Sequence, residues 1–429
     1  MNIVMMTNTY LPHVGGVARS VDAFTRAYRK RGHRVLVVAP VFPDTPEEED
    51  DVVRLPAIQN FNGSDFSVML PIPGYLDSVL DRFRPEIVHS HHPFLLGTTA
   101  LRAASLHGCP VVFTHHTMYE QYTHYVPGDS PALRRFVIEL STSYANLCDR
   151  VFAPSESIAE VLKRRGVRVP VEALPTGVVL EQFSRGDGAD WRRRLGIPQE
   201  AFVIGHVGRL APEKNLVFLA RAVARAMGGR RDVHFLVVGA GPSANEMRRV
   251  FDAAGLADRL YLPGVLSLPE LADAYHAMDV FAFASLSETQ GMVLAEAMAA
   301  ALPVVAVDAP GVREVVTDAY NGYLLPTVDE AAFAAALCNV MALDRQQRMA
   351  WTEAVANTAR RYSLERSVDA ALRAYRVLEA NQAARSPAAR EPWYANIRRI
   401  KAEWELLKGV AQAAGAAAAG RDEHREDAL

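Results

Sequence analysis

Asp279-Val-Phe-Ala-Phe-Ala284 runs directly into Ser285-Leu-Ser-Glu288-Thr-Gln-Gly291-Met-Val-Leu-Ala-Glu296, and the fold is decided by how this passage reads. After Asp279 the first part is continuously apolar, as in a strand buried on both faces of a parallel sheet. Past Gly291 the spacing becomes helical, with Met292, Leu294, Ala295, Met298 and Ala299 recurring until Leu302-Pro303, where a helix must stop. Strand, polar loop and helix start in that order put the loop at the carboxyl edge of a sheet, where open α/β folds bind ligands. Free loop amides and the positive end of a helix suit a phosphate. Glu288 lies in the loop and Glu296 about a turn and a half into the helix, so both can face one crevice. Carboxylates beside an anion site make sense when they bind sugar hydroxyls while amides bind phosphate. A nucleotide sugar meets both demands. Taken alone, a solvated loop glutamate and a helix-surface glutamate would account for the pair better than a ligand site does.

The same alternation extends in both directions. Strands are expected at Phe202–Val207, Val233–Val238, Arg259–Leu262, Asp279–Ala284 and Pro303–Val307, with helices between them. An earlier series has Asn2–Met6, Arg34–Ala39, Ile87–His89, Val111–Thr114 and Val151–Ala153. Two α/β domains, each a doubly wound, Rossmann-like parallel sheet, facing a cleft, are the simplest architecture. Pro170 to Pro198 mixes proline, glycine and charge, which reads as a linker. The expected organisation is a first domain over 1–175, a linker over 176–199, a second domain over 200–362, a helix over 363–380 and a tail over 381–429. In the tail Trp393, Ile397, Ile400, Trp404, Leu407 and Val410 recur every three or four residues, and Ala411–Gly420 with the acidic end reads as disordered. That amphipathic helix either packs on the protein or lies on a membrane surface.

Composition narrows the classes. The chain has 429 residues, half of them apolar, and a net charge of −3, which gives no case for nucleic-acid binding. No run approaches the roughly 18 apolar residues of a membrane span. Met-Asn-Ile-Val-Met-Met-Thr reads as a first strand, lacking the basic start and cleavage site of a signal peptide. Cys109, Cys148 and Cys338 are scattered among apolar segments, as free thiols of a reducing cytosol would be.

Further motifs sit at strand ends. Gly15 and Gly16 open the first helix, and paired glycines let a backbone approach an anion. Gly208-Arg209-Leu-Ala-Pro-Glu213-Lys214-Asn215 opens the first helix of the second domain, with a fork-shaped and a point cation that by themselves read as surface cations and that could also meet a diphosphate. Pro263-Gly-Val265-Leu266 follows another strand. Thr114-His-His116-Thr-Met-Tyr119-Glu-Gln-Tyr-Thr-His124-Tyr125-Val-Pro127 is rich in histidine but lacks an obvious ligand geometry, so no metal is expected there. The chain has no Asp-x-Asp triplet. Gly239-Ala-Gly241 starts a dinucleotide fingerprint without its third glycine, which argues against an oxidoreductase. Arg26, Arg29, Lys30, Arg31, Arg34, Arg134 and Arg135 form basic clusters that are either solvated faces or contacts to anionic lipid.

Glu288 and Glu296 eight apart, Gly291, the Gly-Arg…Glu-Lys spacing and Ala309-Pro-Gly-Val-Arg-Glu314 together resemble the retaining GT-B glycosyltransferases of family four, from Met1 to about Glu379. The resemblance implies a GT-B fold whose last core helix crosses back to the first domain. It also implies that Gly15, Gly16, Arg209, Lys214, Val265, Leu266, Gly291, Met292, Val293 and Glu296 bind the donor, Glu296 on the ribose and the loop at Val265 on the base. Glu288 and His116 become the catalytic candidates beside the hexose. The His-Thr-Met-Tyr-Glu…His-Tyr stretch is similar to that of bacterial diacylglycerol glucosyltransferases, which makes Tyr119, His124 and Tyr125 acceptor candidates. On this resemblance the expected activity is hexosyl transfer from a UDP-sugar, UDP-glucose above all, to a lipid such as diacylglycerol, retaining and metal-independent. No cofactor is expected beyond the donor. The enzyme would sit peripherally on the anionic inner face of the cell membrane. A soluble or polyprenyl-linked acceptor in glycan assembly is the alternative, and a phosphorylase or epimerase on the same fold comes behind it.

Overall fold

The computed structural model describes residues 1–13, 15–46, 49–58, 68–69, 76–121, 130–384, 405–415 and 417. The chain divides into two compact units, Met1–Pro175 with Ser367–Leu429, and Thr176–Arg366. In the first, β1 (Asn2–Met6), α1 (Gly16–Lys30), β2 (Arg34–Pro40) and β3 (Val52–Leu55) are followed by a small antiparallel pair, β4 (Ala57–Ile58) and β5 (Val68–Met69). Then come α2 (Asp77–Phe83), β6 (Ile87–Ser90), α3 (Leu96–His107), β7 (Val111–Thr114), α4 (Pro131–Leu147), β8 (Arg150–Ala153), α5 (Glu156–Arg164) and β9 (Val171–Ala173). Seven strands form one parallel sheet in the order β3-β2-β1-β6-β7-β8-β9.

The second unit starts with α6 (Leu180–Phe183) and α7 (Gly188–Leu195), then β10 (Phe202–Val207), α8 (Leu216–Met227), β11 (Val233–Val238), α9 (Ala244–Ala253) and β12 (Leu260–Gly264). It continues with α10 (Glu270–His276), β13 (Val280–Phe283), α11 (Met292–Ala299), β14 (Val304–Val307), β15 (Gly322–Leu325), α12 (Glu330–Met341) and α13 (Arg345–Arg361). Its parallel sheet runs β12-β11-β10-β13-β14-β15. The quoted strand is buried on both faces, as its composition requires: Phe281 and Phe283 enter one core cluster, Val280 and Ala282 the other. Both units are therefore doubly wound α/β sheets, the expected class.

Besides the short β4–β5 pair, three strands of the two parallel sheets escape the sequence reading, β3, β9 and β15. All lie at sheet edges and are partly exposed, so they lack the continuous apolar run that marks the central strands. The stretch 176–199, expected to be a linker, folds as part of the second unit. Val178, Phe183, Trp191 and Ile197 are buried in its core, and Arg192 holds Asp279 at 2.9 Å. Four apolar anchors among prolines, glycines and charges are enough to dock the segment, and composition averages them away.

The last core helix, α14 (Leu364–Ala383), belongs to the first unit from Ser367 on. Its buried Tyr375 shares a 3.1 Å hydroxyl–hydroxyl hydrogen bond with Tyr28 of α1, and Asp369 pairs with Arg31 at 2.9 Å. Arg31 is thus engaged within the fold, as are three other members of its basic cluster, Arg26 through an ion pair with Asp22 at 2.9 Å. Arg29 donates to the carbonyls of Val35, Asp50 and Asp51, and Arg34 lies 5.1 Å over the Phe83 ring.

Trp393, Ile397, Ile400 and Trp404 lie outside the described residues. A helix over 405–415 places Leu406 against the first unit's core and buries Ala413, while Leu407 (65%) and Val410 (47%) stay exposed. Residues 411–415, expected to be disordered, continue that helix. Alanine has the highest helix propensity, and low complexity alone does not override it. Among the described residues no helix is long and apolar enough to cross a membrane.

Candidate active site

In the second unit β10 and β13 are neighbours, with β11 and β12 on one side and β14 and β15 on the other. Strand order reverses between β10 and β13, and at such a switch point open α/β sheets bind their ligands beside the strands' carboxyl ends. The loop after β10 carries Arg209 and a single 3-10 turn, Pro212–Lys214; the loop after β13 carries Glu288. They meet through an ion pair, Lys214 Nζ to Glu288 Oε1 at 2.5 Å, with side chains 16% and 17% exposed. Arg209 pairs with Glu213 in the same loop, and the Ser287 hydroxyl donates to the Glu213 carbonyl. Both cations expected at a diphosphate thus lie at the switch point, each against a carboxylate. An ammonium has three N–H donors, so Lys214 can keep Glu288 while serving a phosphate oxygen.

Gly291 begins α11 at φ +67, and Gly311, in the loop after β14, has φ +75. A Cβ at Gly311 would lie 2.7 Å from the Gln290 nitrogen, so two backbones touch where the phosphate-side loop turns into its helix. No side chain caps α11, and its first turn holds no acid. The amides of Met292 and Val293 thus stand at an uncompensated positive helix end. By contrast, α4, α5, α12 and α13 start with side-chain caps from Ser130, Ser155, Asp329 and Asp344. Between the two glutamates, Gln290 is buried and its Oε1 accepts from the Thr176 amide at 2.9 Å, a structural role that spacing did not reveal.

Glu296 is held from behind. The buried Tyr275 of α10 donates its hydroxyl to Glu296 Oε2 at 2.9 Å, and its ring packs on Phe183 and Phe281. If Glu296 serves the ribose, Tyr275→Phe is expected to raise the donor KM roughly 10-fold, the value of one hydrogen bond to a charged group, with kcat nearly unchanged. Initial rates over a donor concentration series measure it, and a fall in kcat at unchanged KM would contradict the ribose assignment. On the loop after β12, Leu266 packs against the core while Val265 is 70% exposed, leaving an apolar face at this sheet edge. His206 of β10 bonds the Ala282 carbonyl through Nδ1; its Nε2 is buried without a partner among the described residues.

In the first unit the sheet order reverses beside β1. The loop after β1 leads to α1, which begins without a side-chain cap at Gly15 and has no acid in its first turn. Gly15 is extended, so its lack of a side chain matters for space: a Cβ would come 3.2 Å from His13 Nε2, whereas nothing lies near one at Gly16.

The ends of β6 and β7 bring five histidines together, of which the sequence reading singled out one. His116 Nε2 lies 2.9 Å from His91 Nδ1, with rings stacked at 5.2 Å. His89 is locked between Thr114 Oγ1 and the Tyr375 hydroxyl, both at 2.6 Å, and its ring lies 4.2 Å from that of His91. His92 accepts from the Asn8 amide. The signal was present in His91-His92, which directly follow β6, a strand adjacent to β1. Tyr119, an acceptor candidate, packs edge-on to Phe94 and His115, and its hydroxyl is buried without a partner among the described residues. Glu120 forms a buried pair with Arg165. His124 and Tyr125 lie outside the described residues. Among the described residues no cluster of three or more histidine, cysteine or acidic side chains has a metal-binding arrangement.

Burial sets the charge of these imidazoles. It pushes His89, His92 and His115 down to about 3 and His116 to about 4, from a usual 6.5. Unfolding releases them to titrate normally, so between pH 6.5 and 4 the unfolded chain binds more protons. Stability therefore falls with pH in that window, by about 1.4 kcal/mol per pH unit for each fully shifted group. Thermal melts across this range are expected to show the first unit destabilised on acidification; a flat profile would mean that the cluster is solvated.

Two family descriptions match the chain, Glycosyltransferase Family 4 over residues 14–182 and Glycosyl transferases group 1 over residues 201–342. An alpha-monoglucosyldiacylglycerol synthase of Streptococcus pneumoniae is 28% identical over 76% of this chain and 75% of its own length. A GDP-mannose-dependent alpha-mannosyltransferase of Mycobacterium tuberculosis is 32% identical over 76% and 84%. Among solved structures, Anabaena HepE in complex with UDP superimposes with a TM-score of 0.69 at 19% identity, covering 87% of this chain and 99% of that one.

Proposed function

Because the chain belongs to glycosyltransferase family 4 and has the GT-B fold, we propose that it moves glucose from UDP-glucose to the hydroxyl of a lipid such as diacylglycerol. The observation that carries the transferase reading is the switch point of the second unit. There Lys214, Arg209 and the open end of α11 offer positive charge next to Glu288, with Glu296 fixed by Tyr275. Positive groups stabilise the departing diphosphate, and carboxylates take sugar and ribose hydroxyls. The lipid acceptor is supported by similarity to a glucosyldiacylglycerol synthase.

Glu288 is bound to Lys214, which suits a group that orients the hexose better than one that attacks C1. The proposed chemistry therefore retains configuration on a single face. The bond from C1 to the diphosphate oxygen breaks as the acceptor oxygen bonds to C1, and the acceptor proton passes to a phosphate oxygen. Fixed cations such as Lys214 and Arg209 can neutralise a leaving diphosphate without a divalent metal, so transfer is expected to persist in excess EDTA. Loss of activity restored by magnesium or manganese would contradict this. Attachment to the cytoplasmic leaflet would be peripheral, through surfaces such as the helix exposing Leu407 and Val410.

A second reading, mannosyl transfer from a GDP donor, is favoured by the mycobacterial relative's higher identity. Radiolabelled UDP-glucose, UDP-galactose and GDP-mannose, each incubated with the full chain and diacylglycerol liposomes and then extracted, separate the readings. Label in the lipid phase from UDP-glucose alone is the expected result. Label from GDP-mannose alone, or only in the aqueous phase with a soluble acceptor, would overturn it.

A further inference from the structure

The geometry points to His91 as the residue that fixes which nitrogen of His116 carries the proton, so that His116 presents Nδ1–H and keeps Nε2 as an acceptor. The two rings are stacked 24° from parallel, and only one pair of nitrogens meets, His91 Nδ1 and His116 Nε2 at 2.9 Å. Burial holds His91 well below the usual histidine range and His116 at about 4, so both are neutral near pH 7. Each then has one N–H and one bare nitrogen, and a single proton lies between them.

The other nitrogen of His91 decides which ring owns that proton. His91 Nε2 is buried and finds no partner among the described residues. If His116 donated, His91 would have to carry its proton on Nε2, burying an N–H with nothing to receive it. If His91 donates, the buried atom is a bare ring nitrogen. Orphaned buried N–H groups are the rarer state in folded proteins. His91 therefore donates from Nδ1, and the proton of His116 is left on its own Nδ1.

The orientation of His91 is itself supported. Its ring rests against His89, which Thr114 and Tyr375 clamp from both nitrogens, and Tyr375 is in turn bonded to Tyr28. His89 and His92, the titratable neighbours of the pair, are pushed down to about 3 by burial, so no cation competes for the proton. The tautomer stands on this geometry together with the neutrality that burial imposes on the pair. Its consequence for transfer rests on the expectation that His116 serves the sugar: a protonated Nδ1 suits a sugar oxygen, and His91 is the positioning residue.

Long-range proton–nitrogen correlation spectra of the full chain labelled with 15N-histidine at neutral pH test the assignment, with His116→Gln identifying the His116 signals. A protonated Nδ1 and a bare Nε2 on His116 are expected; the reverse pattern overturns the proposal. In transfer assays His91→Asn, whose amide N–H can stand near the missing Nδ1–H, is expected to hold kcat/KM within about 3-fold, while His91→Ala loses about 10-fold. Thermal melts confirm that both variants fold. Equal losses in two folded variants would reject the positioning role. Unchanged transfer by His116→Ala would instead reject the reading of His116, and the spectra would still decide the tautomer.

Discussion

Glu288→Ala is expected to lower kcat by about 100- to 1000-fold, the loss typical for an electrostatic group aimed at the reacting centre. Two effects add. On the proposed assignment the hexose loses the carboxylate that orients it, and Lys214, only 16% exposed, loses its partner at 2.5 Å. The freed ammonium then holds the diphosphate tightly already in the ground state, so less of its attraction is reserved for the departing group. The donor KM should accordingly stay level or fall. Glu296→Ala is expected to behave in the opposite way, with a raised KM and kcat largely preserved, because the ribose is bound equally before and during transfer. Initial rates at saturating donor decide the matter. Equal and mild losses of kcat in both variants would sink the assignment of Glu288 to the hexose.

The second large effect is on stability. Arg165, at the end of α5, is 3% exposed and pairs with Glu120, 10% exposed, at 2.8 Å. Removing one member of a buried pair strands the other's charge, at a cost of about 3–5 kcal/mol. Arg165→Met is therefore expected to lower the melting temperature of the first unit by roughly 10 °C, at about 2–4 °C per kcal/mol for a unit of this size. The double variant Arg165→Met, Glu120→Leu should recover most of that loss, because the apolar replacements remove both charges together. Calorimetry of the two variants separates this from a surface pair. A loss of under about 1 kcal/mol for the single variant would mean that water still reaches the carboxylate. Glu120 closely follows His115 and His116, so the pair also anchors the chain leaving the histidine cluster.

Both results bear on what a linear reading can see. The central strands were legible because burial on both faces demands continuous apolar residues, as in Val280–Phe283 and Val233–Val238. Glu288, Gly291 and Glu296 were legible because a strand, a loop and a helix start within eighteen residues fix their mutual placement. Lys214 was legible as a cation at a strand end. Its pairing with Glu288 was not, since seventy-four residues separate them and only the adjacency of β10 and β13 brings them together.

By itself, then, the chain's pattern determined two doubly wound α/β units and placed Glu288, Glu296, Arg209 and Lys214 beyond strand ends. Those are properties of local periodicity and of short spacings, which survive in one dimension. The tertiary structure decided the partners. Tyr275 behind Glu296, His91 on His116, Arg165 on Glu120 and Tyr375 on His89 join residues that lie 21, 25, 45 and 286 positions apart. Composition hid the segment 176–199 in the same way, because a few apolar anchors matter only once there is a core to receive them. A buried polar group must find a partner wherever the fold supplies one, and strand order, which no local pattern encodes, chooses that partner.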